Sequence, residues 1–209
     1  MNSEKKFMFV IGLTGGIGSG KTEASEILAK FGAKTINADT FGHHIYKKNT
    51  KVWEQIVKEF GQTILDDNGD IVRSELAKLV FSSKSKLDKL NSICHPEIKN
   101  LVIKELNQFR LDEVDIVVIE AAILIEANWK DIVDEVWSIE SKTSIIFNRV
   151  KKRDNINHQA IQSRMDSQID NDTRSKHSDE VIANNGTIQE LTNNLAEIWE
   201  RKFINHNKE

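Results

Sequence analysis

The sequence contains one cysteine, one proline and one tyrosine among its 209 residues. The single cysteine, Cys94, excludes an intrachain disulfide, so the sequence predicts a reducing, cytoplasmic setting. Long apolar runs are also lacking. The N-terminal run, Phe7–Leu13, has seven residues and leads directly into glycines, whereas a transmembrane helix needs roughly 18 apolar residues. This run is therefore predicted to be a buried strand, and neither a signal peptide nor a membrane partner is expected.

The charge balance shows no basic surplus. Lysine and arginine number 29, aspartate and glutamate number 32, and the formal net charge is −3. A general nucleic-acid binder would normally be basic, so no nucleic-acid partner is expected. Hydrophobic residues make up 39% of the chain and charged residues 29%, which is typical of a globular protein. At this length we expect one α/β domain with inserted segments.

Short apolar runs alternate with amphipathic stretches, which is the pattern of a parallel sheet with crossover helices. The sequence predicts strands at Phe9–Leu13, Lys34–Ala38, Asp115–Glu120, Glu135–Ile139 and Val181–Ile182. The predicted fold class is therefore α/β, with a five-stranded parallel sheet. A closing helix at Ile188–Phe203 is predicted from its inward-facing apolar residues.

Two segments are interpreted as insertions into this core. Residues 43–110 form a helical tract, in which His95 and Pro96 are expected to mark a boundary between two helices. Ser144–Asp154 is predicted to be a helix, and a polar stretch follows it to Asp179. The single domain is thus divided into a core of residues 7–42, 111–144 and 179–209, an insertion at 43–110 and a second segment at 145–178.

Residues 15–22, GGIGSGKT, satisfy the phosphate-loop pattern G-x-x-x-x-G-K-[ST]. Glycines allow positive φ angles, so successive N–H groups converge on phosphate oxygens, and the following helix adds its positive end to the anion site. The pattern predicts a nucleotide site formed by Gly15, Gly16, Ile17, Gly18, Ser19, Gly20, Lys21 and Thr22. Lys21 would reach the β- and γ-phosphates, and Thr22 would bind Mg²⁺. An accidental glycine turn is disfavoured, because a buried strand precedes the loop and an amphipathic helix follows it.

Other motifs discriminate among the classes of phosphate-loop protein. A GTPase would normally carry an N-K-x-D motif, which the sequence lacks, and a D-x-x-G match at Asp66–Gly69 lies in a polar turn before a helix. Signatures of transporter ATPases are missing as well. A small-molecule kinase is the favoured class, and a nucleotide-binding switch without transferase activity is the alternative.

Three side chains are candidates for the chemistry of such a kinase. Asp39 follows the second predicted strand, where ligands of open α/β sheets gather, and its carboxylate can accept a proton or hold a magnesium-bound water. The alternative role for Asp39 is to cap the next helix. Arg149 and Arg153 lie one helical turn apart and can neutralise a transferring phosphoryl group. Their alternative role is to form a solvated basic face.

Taken together, these motifs resemble the dephospho-CoA kinase family over nearly the whole chain, from about Phe9 to Phe203. The similar segments are LTGGIGSGKT at Leu13–Thr22, NAD at Asn37–Asp39, LNSICHPEI at Leu90–Ile98, AAILIE at Ala121–Glu126, RVKKRD at Arg149–Asp154, SRMDSQ at Ser163–Gln168 and DEVIANNG at Asp179–Gly186. Many families share the phosphate loop. The His-Pro element, the R-x-x-x-R-D helix and the closing Asn-Asn-Gly are more specific in this order.

The resemblance implies a three-layer P-loop NTPase fold, in which residues 43–110 form a helical CoA-binding insertion and residues 145–178 form a lid. It also implies that ATP, with Mg²⁺, donates its γ-phosphate to the 3′-hydroxyl of dephospho-CoA. Dephospho-CoA would be the small-molecule partner. A monomer is favoured.

The resemblance also implies roles for individual residues. Asp39 would be the general base, and the catalytic set would be Asp39, Lys21, Arg149 and Arg153. The acceptor would contact Thr14, Asp39, His43 and His95. The turn containing Asn184 and Gly186 would border the adenine.

The sequence departs from the family pattern at four positions. Asn37 stands where the family often has aspartate, which leaves Asp39 to act alone. His43 replaces a commonly basic residue, and a neutral imidazole there carries no charge above about pH 6.5. Ala122 replaces a frequent proline, and Glu23 stands where small residues are usual. None of these departures affects Gly20, Lys21, Thr22 or Asp39, so the catalytic interpretation is kept. The second hypothesis is another small-molecule kinase on the same scaffold, acting on a nucleoside, nucleotide or sugar.

Overall fold

The computed structural model describes residues 7–42 and 45–205. The strands and helices, in chain order, are β1 (Phe9–Thr14), α1 (Lys21–Lys30), β2 (Lys34–Asn37), α2 (Ala38–Phe41), α3 (Lys51–Phe60), α4 (Arg73–Phe81), α5 (Lys84–Leu111), β3 (Ile116–Glu120), β4 (Glu135–Glu140), α6 (Thr143–Asp154), α7 (His158–Asp166), α8 (Asn171–Lys176), β5 (Glu180–Ala183) and α9 (Ile188–Trp199). A π-helical turn, Glu200–Ile204, follows α9. Within the described ranges, no helix is long and apolar enough to cross a membrane.

β1 lies at the centre of a five-stranded sheet with the order β2-β3-β1-β4-β5. It pairs in parallel with β3, where Leu13 lies opposite Glu120, and with β4, where Leu13 lies opposite Trp137. β4 pairs in parallel with β5. The central strands are continuous apolar runs because both of their faces are covered. The five-stranded parallel sheet predicted from the sequence is confirmed.

Helices α1 and α9 cover one face of the sheet. Apolar residues of β1, β3, β4 and β5 form one buried cluster with residues of these helices, among them Leu28 and Leu195. The aromatic side chains of Phe9, Trp199 and Phe203 extend this cluster, with ring centroids 5.2 Å apart for Phe9 and Phe203 and 4.8 Å apart for Trp199 and Phe203. This packing fixes α1 against the sheet, and α1 carries the end of the phosphate loop.

The opposite face of β1 is covered by the chain after β3. A Cβ on Gly12 would lie 2.5 Å from Leu124 Cδ1 and 3.1 Å from Val133 Cγ1, so glycine allows this close approach. Leu124 and Trp129 are fully buried in the same connection. Both faces of β1 are thus packed. The phosphate loop follows the carboxyl end of this strand.

The described residues form two compact units. One contains the chain up to Ile36 and from Gln108 onward, and the other is Asn37–Asn107. In the second unit, α3 is capped by Thr50, whose side chain accepts a hydrogen bond from Trp53 N. The Trp53 indole donates to Gly69 O at 3.1 Å, which ties α3 to the turn before α4. The predicted division at residues 43–110 and 145–178 stays a prediction.

Helix α5 contradicts the expected boundary at His95 and Pro96. It is continuous from Lys84 to Leu111, with Pro96 inside it. Proline removes one backbone donor from the helix, which normally favours a break. Buried residues recur at every fourth position on either side of Pro96, namely Leu90, Cys94, Ile98, Val102 and Leu106. This uninterrupted apolar stripe is packed along its length, and its burial outweighs the local cost of the proline.

The polar stretch before Asp179 contains two helices that the sequence analysis did not predict. α7 and α8 are short, and they bury only Ile161 and Arg174. Both begin at side-chain caps: Asn157 accepts a hydrogen bond from Ala160 N, and Asp170 accepts one from Thr173 N. The capping residues were the sequence feature that could have predicted these helices, since apolar residues do not recur at helical spacing in the segment.

Candidate active site

The phosphate loop leaves the carboxyl end of β1 and ends in the first turn of α1. Gly20 caps α1 with a φ of 97°, and a Cβ at this position would collide with Asn184 Nδ2. Glycine is therefore required at this position, both by the positive φ and by the lack of space for a side chain. Lys21 Nζ donates to Gly15 O at 2.8 Å and to Gly16 O at 3.3 Å. The ammonium group therefore lies against the loop backbone that the motif uses to bind phosphates.

Thr22 and Glu120 meet at the edge of the sheet. The Thr22 hydroxyl donates to Glu120 Oε1 at 2.7 Å, and Glu120 is 4% exposed at the end of β3. Hydroxyl and carboxylate oxygens are ligands that Mg²⁺ prefers. Thr22 is the metal ligand predicted from the motif, whereas Glu120 was not predicted. Glu120 could have been predicted, because it is a carboxylate at the carboxyl end of the apolar run that forms β3.

No protein cage for a metal accompanies this pair. Among residues 7–42 and 45–205, no group of three or more His, Cys, Asp or Glu side chains is placed to hold a metal ion. Mg²⁺ usually keeps several waters and is bound by one or two protein groups together with substrate phosphates. Thr22 and Glu120 fit that arrangement.

A cavity of about 550 Å³ lies beside the loop. Its lining includes Gly18, Gly20, Lys21, Thr22, Arg149, Arg153, Asn184 and Gly186. The structure thus brings together most of the residues predicted for the nucleotide, although they come from three separate stretches of the chain. Lys152 and Ile188 also line the cavity, and the sequence analysis did not name them as site residues.

Arg149 and Asn184 converge on the Ser19 carbonyl of the loop. Asn184 Nδ2 donates to Ser19 O at 2.8 Å, and Arg149 Nη1 lies 3.5 Å from the same oxygen. Arg149 also donates to Ser141 Oγ at 3.1 Å and to Asn184 Oδ1 at 3.2 Å. Asn184 is 6% exposed. Both residues therefore brace the backbone of the loop, in addition to any contact with a nucleotide.

Arg153 lies one turn further along α6 and is bound differently. Its guanidinium forms a two-point contact with Asp154, at 2.6 Å and 3.1 Å, and Arg164 contacts the same carboxylate at 2.9 Å. The hydrogen bond from Arg153 lowers the pKa of Asp154, which stays ionised. Arg153 is exposed and faces the cavity, so it provides positive charge at the mouth of the site.

The turn between β5 and α9 forms another wall of the cavity. α9 begins with a reciprocal cap between Thr187 and Glu190, and a Cβ on Gly186 would collide with the Glu190 carboxylate. Next to this turn, Ile188 leaves 59% of its surface exposed. An exposed apolar side chain in the cavity wall suits the flat face of a nucleobase.

Asp39 lies in the first turn of α2, within the second unit. The helix is capped by Asn37, whose Oδ1 accepts a hydrogen bond from Thr40 N at 3.3 Å. The alternative interpretation, in which Asp39 caps this helix, is therefore wrong. The reason is one of position, since the helix begins at Ala38 and the capping residue is the one before it. Asp39 is exposed.

The remaining predicted acceptor residues have different environments. His95 lies inside α5, half-buried, and burial lowers its pKa, so the imidazole is neutral at physiological pH. Thr14 ends β1 fully buried, and its hydroxyl has no hydrogen-bond partner within the described part of the chain. His43 lies outside the described residues.

The second unit also contains a tyrosine–arginine pair that the sequence analysis missed. The Arg73 guanidinium lies 5.2 Å from the centre of the Tyr46 ring, and Nη2 donates to Gly42 O at 3.0 Å. Gly42 is the C-cap of α2, so this bond holds Arg73 at the end of the helix that carries Asp39. Behind the pair, the buried Cys94 thiol lies 3.9 Å from Tyr46 Oη. Sequence spacing gives no sign of these contacts.

Comparison with known proteins decides the family. The model of the dephospho-CoA kinase family matches residues 9–190. The chain belongs to the dephospho-CoA kinase family. A dephospho-CoA kinase of Geobacter sulfurreducens is 37% identical over 196 residues, which are 94% of this chain and the whole of that protein.

Solved structures agree in fold. A protein of Thermus thermophilus aligns with a TM-score of 0.78 at 24% identity, covering 94% of this chain and 99% of its own. A dephospho-CoA kinase from Campylobacter jejuni aligns with a TM-score of 0.58 at 23% identity, covering 92% and 96%. The family and the P-loop kinase fold predicted from the sequence are confirmed. The roles of individual residues in a dephospho-CoA kinase stay predictions.

Proposed function

We propose that the chain transfers the γ-phosphate of ATP to the 3′-hydroxyl of dephospho-CoA, giving coenzyme A and ADP. Membership of the dephospho-CoA kinase family supports the reaction. The observation that carries the proposal is the Thr22–Glu120 hydrogen bond beside a complete phosphate loop. A hydroxyl and a buried carboxylate at this place are the protein groups that a phosphoryl-transfer site needs for its metal.

The donor half of the reaction belongs to the loop and the cavity beside it. Backbone N–H groups of the loop and the Lys21 ammonium would hold the phosphates, and the adenine would lie along the Gly186 turn and Ile188. Thr22 and Glu120 would hold Mg²⁺, which neutralises negative charge on the phosphates when bound. Arg153 at the cavity mouth and Arg149 beside Ser19 would stabilise charge on the transferring phosphoryl group.

Asp39 and His95, both in the second unit, are assigned to the acceptor. Asp39 is exposed and is proposed to accept the proton of the 3′-hydroxyl. The hydroxyl oxygen then forms a bond to the γ-phosphorus, the bond from that phosphorus to the β–γ bridging oxygen breaks, and ADP leaves. His95, neutral because burial lowers its pKa, would contribute a hydrogen bond to the acceptor without adding charge. Thr14 and His43 complete the proposed acceptor set, and a cytoplasmic monomer stays the expectation from the sequence.

A coupled assay of ADP formation tests the proposal, with dephospho-CoA, adenosine, AMP and gluconate offered in parallel. We expect turnover with dephospho-CoA and little with the others. Turnover with another acceptor alone would replace the proposed substrate, and ADP binding without any transfer would indicate a nucleotide switch. Lys21→Ala should nearly abolish turnover, because it removes the charge that the loop directs at the β- and γ-phosphates. The exposed Lys30→Ala, at the other end of α1, is the control and should leave the rate unchanged.

A further inference from the structure

Gln168 contacts the phosphate loop from the turn that follows α7. Its Oε1 accepts a hydrogen bond from Ile17 N at 2.8 Å, and a Cβ on Gly16 would lie 3.6 Å from the same oxygen. The two residues are 151 positions apart in the chain. Because a side chain outside the loop binds this N–H, the Gly16–Ile17 peptide is held in one orientation.

Apolar packing ties the same part of the loop to α6 and α7. The side chain of Ile17 packs against the buried residues Ile146, Val150 and Ile161. A Cβ on Gly18 would lie 2.6 Å from Val150 Cγ2, so the loop backbone and α6 are in direct contact. The orientation of the loop therefore depends on the segment that carries Gln168.

Arg174, on α8, holds the turn in which Gln168 lies. Its Nη2 donates to Ile169 O and its Nη1 to Asn171 Oδ1, both at 2.8 Å. The guanidinium also lies beside the loop, since a Cβ on Gly16 would be 3.7 Å from Nη1. The residue is 1% exposed, and its Nε has no hydrogen-bond partner among the residues that the structure describes.

The positive charge of Arg174 is buried without a directly bound carboxylate. Within residues 7–42 and 45–205 it forms no ion pair of 4.0 Å or less. Burial lowers its pKa, whereas the more distant Glu126, Glu140 and Asp170 favour the charged form. Arginine stays protonated in proteins, so a fixed cation lies next to Gly16. Burying a charge costs free energy unless an anion offsets it, and phosphates held by the loop would add negative charge beside Gly16.

We propose that Gln168 and Arg174 are positioning residues for the nucleotide phosphates. Gln168 acts through the Ile17 peptide, and Arg174 acts through the Ile169 carbonyl and through its buried charge. This inference rests on the proposed binding of ATP by the loop and is independent of the acceptor. Both residues line one cavity of about 440 Å³ together with Gly16 and Ile17, on the side of the loop that the larger cavity does not reach.

The test measures ADP affinity of the full chain by calorimetry, together with the KM for ATP and the KM for dephospho-CoA. Gln168→Leu removes the acceptor oxygen, and Arg174→Met removes the charge, with little change in size. We expect each to weaken ADP binding and to raise the KM for ATP roughly tenfold, which is the usual effect of losing one such hydrogen bond. The KM for dephospho-CoA should stay near the wild-type value.

Two matched controls and one conservative variant separate positioning from folding. Gln159→Leu and Lys176→Met change exposed residues on α7 and α8, and both should bind ADP normally. Arg174→Lys keeps the charge and should recover most of the ADP affinity that Arg174→Met loses. Since Arg174→Met also removes two hydrogen bonds, Arg174→Lys provides the variant in which the fold is best preserved.

Unchanged ADP affinity in a folded Gln168→Leu and a folded Arg174→Met would overturn the inference. Equal increases in the KM values for ATP and for dephospho-CoA would do the same, because a general loss of structure does not distinguish the two substrates. A different result would refute the proposed reaction. A wild-type chain that binds ADP but does not phosphorylate dephospho-CoA would refute the acceptor and leave the role of Gln168 and Arg174 standing.

Discussion

The Thr22 hydroxyl donates to Glu120 Oε1 at 2.7 Å, although the two residues are 98 positions apart in the chain. The parallel register of the sheet brings them together, because Leu13, at the end of β1, lies opposite Glu120 at the end of β3. The loop begins directly after β1 and returns at Thr22. Strand pairing thus determines the position of the two oxygens that we propose for Mg²⁺, and the loop that follows β1 carries the N–H groups that we propose for the phosphates.

Replacing the Glu120 carboxylate should change the metal requirement more than the fold. Glu120→Gln keeps an oxygen that can accept the Thr22 hydrogen bond but removes the charge. We expect the Mg²⁺ concentration for half-maximal rate to rise ~10–100-fold, the usual effect of altering a partner of a metal ligand. Titration of Mg²⁺ at saturating substrates measures this shift. Glu26→Gln, an exposed change on α1, is the control, and an unchanged Mg²⁺ requirement in Glu120→Gln would remove Glu120 from the metal site.

Asp39→Asn tests the general base. The amide cannot accept the proton of the attacking hydroxyl, so kcat should fall ~10²–10⁴-fold, which is the usual contribution of general base catalysis. ADP affinity should not change, because Asp39 is not part of the phosphate loop. Steady-state kinetics and ADP titration give both numbers. Asp88→Asn, at an exposed position of α5, should retain the wild-type kcat, and a wild-type kcat in Asp39→Asn would exclude Asp39 from the mechanism.

Arg149→Lys should weaken nucleotide binding although the charge is kept. The Arg149 guanidinium bonds Ser141 and Asn184 at once and lies beside the Ser19 carbonyl, and one ammonium group cannot reproduce this planar arrangement. We expect the KM for ATP to rise roughly tenfold, equivalent to the loss of about one charged hydrogen bond. Lys151→Met, an exposed residue of the same helix, is the matched control. Equal KM values for Arg149→Lys and the wild type would show that the bracing contacts are not needed.

Strands were predictable because a buried parallel strand is a continuous apolar run. The expected Phe9–Leu13 differs from β1 by one residue, and the expected Glu135–Ile139 differs from β4 by one residue. The phosphate loop was predictable for a different reason. All its donors are contiguous in the chain, so the motif contains the whole geometry.

The parts that the sequence analysis missed depend on long-range contacts. Nothing local indicates that Glu120 meets Thr22, that Gln168 binds Ile17, or that Arg174 is buried. α5 passes through Pro96 because packing outweighs a local signal that usually ends a helix. The stretch before Asp179 is polar in sequence, and two of its polar side chains, Gln168 and Arg174, lie against the phosphate loop.

The Cys94 thiol should be unreactive in the folded chain. Burial raises its pKa to about 11, against which the hydrogen bond with Tyr46 acts only weakly, so the thiolate needed for reaction is scarce at about pH 8. We expect a thiol reagent to label the native protein slowly and the protein unfolded in guanidinium at once. The chain has one cysteine, so the labelling reports this site alone. Rapid stoichiometric labelling of the native protein would contradict the burial of Cys94.

The raised pKa of the Cys94 thiol should also lower the stability of the folded chain at high pH. The folded chain holds the thiol proton more tightly than the unfolded chain, in which the pKa is about 9. This contribution to the free energy of unfolding is therefore complete below about pH 9 and is lost as the pH rises toward 11. Tyr46, whose pKa is also raised by burial, adds a decline of the same sign at higher pH. Denaturant titrations of the wild type and Cys94→Ala between these pH values measure the effect, and the variant should lose less stability because its thiol no longer ionises.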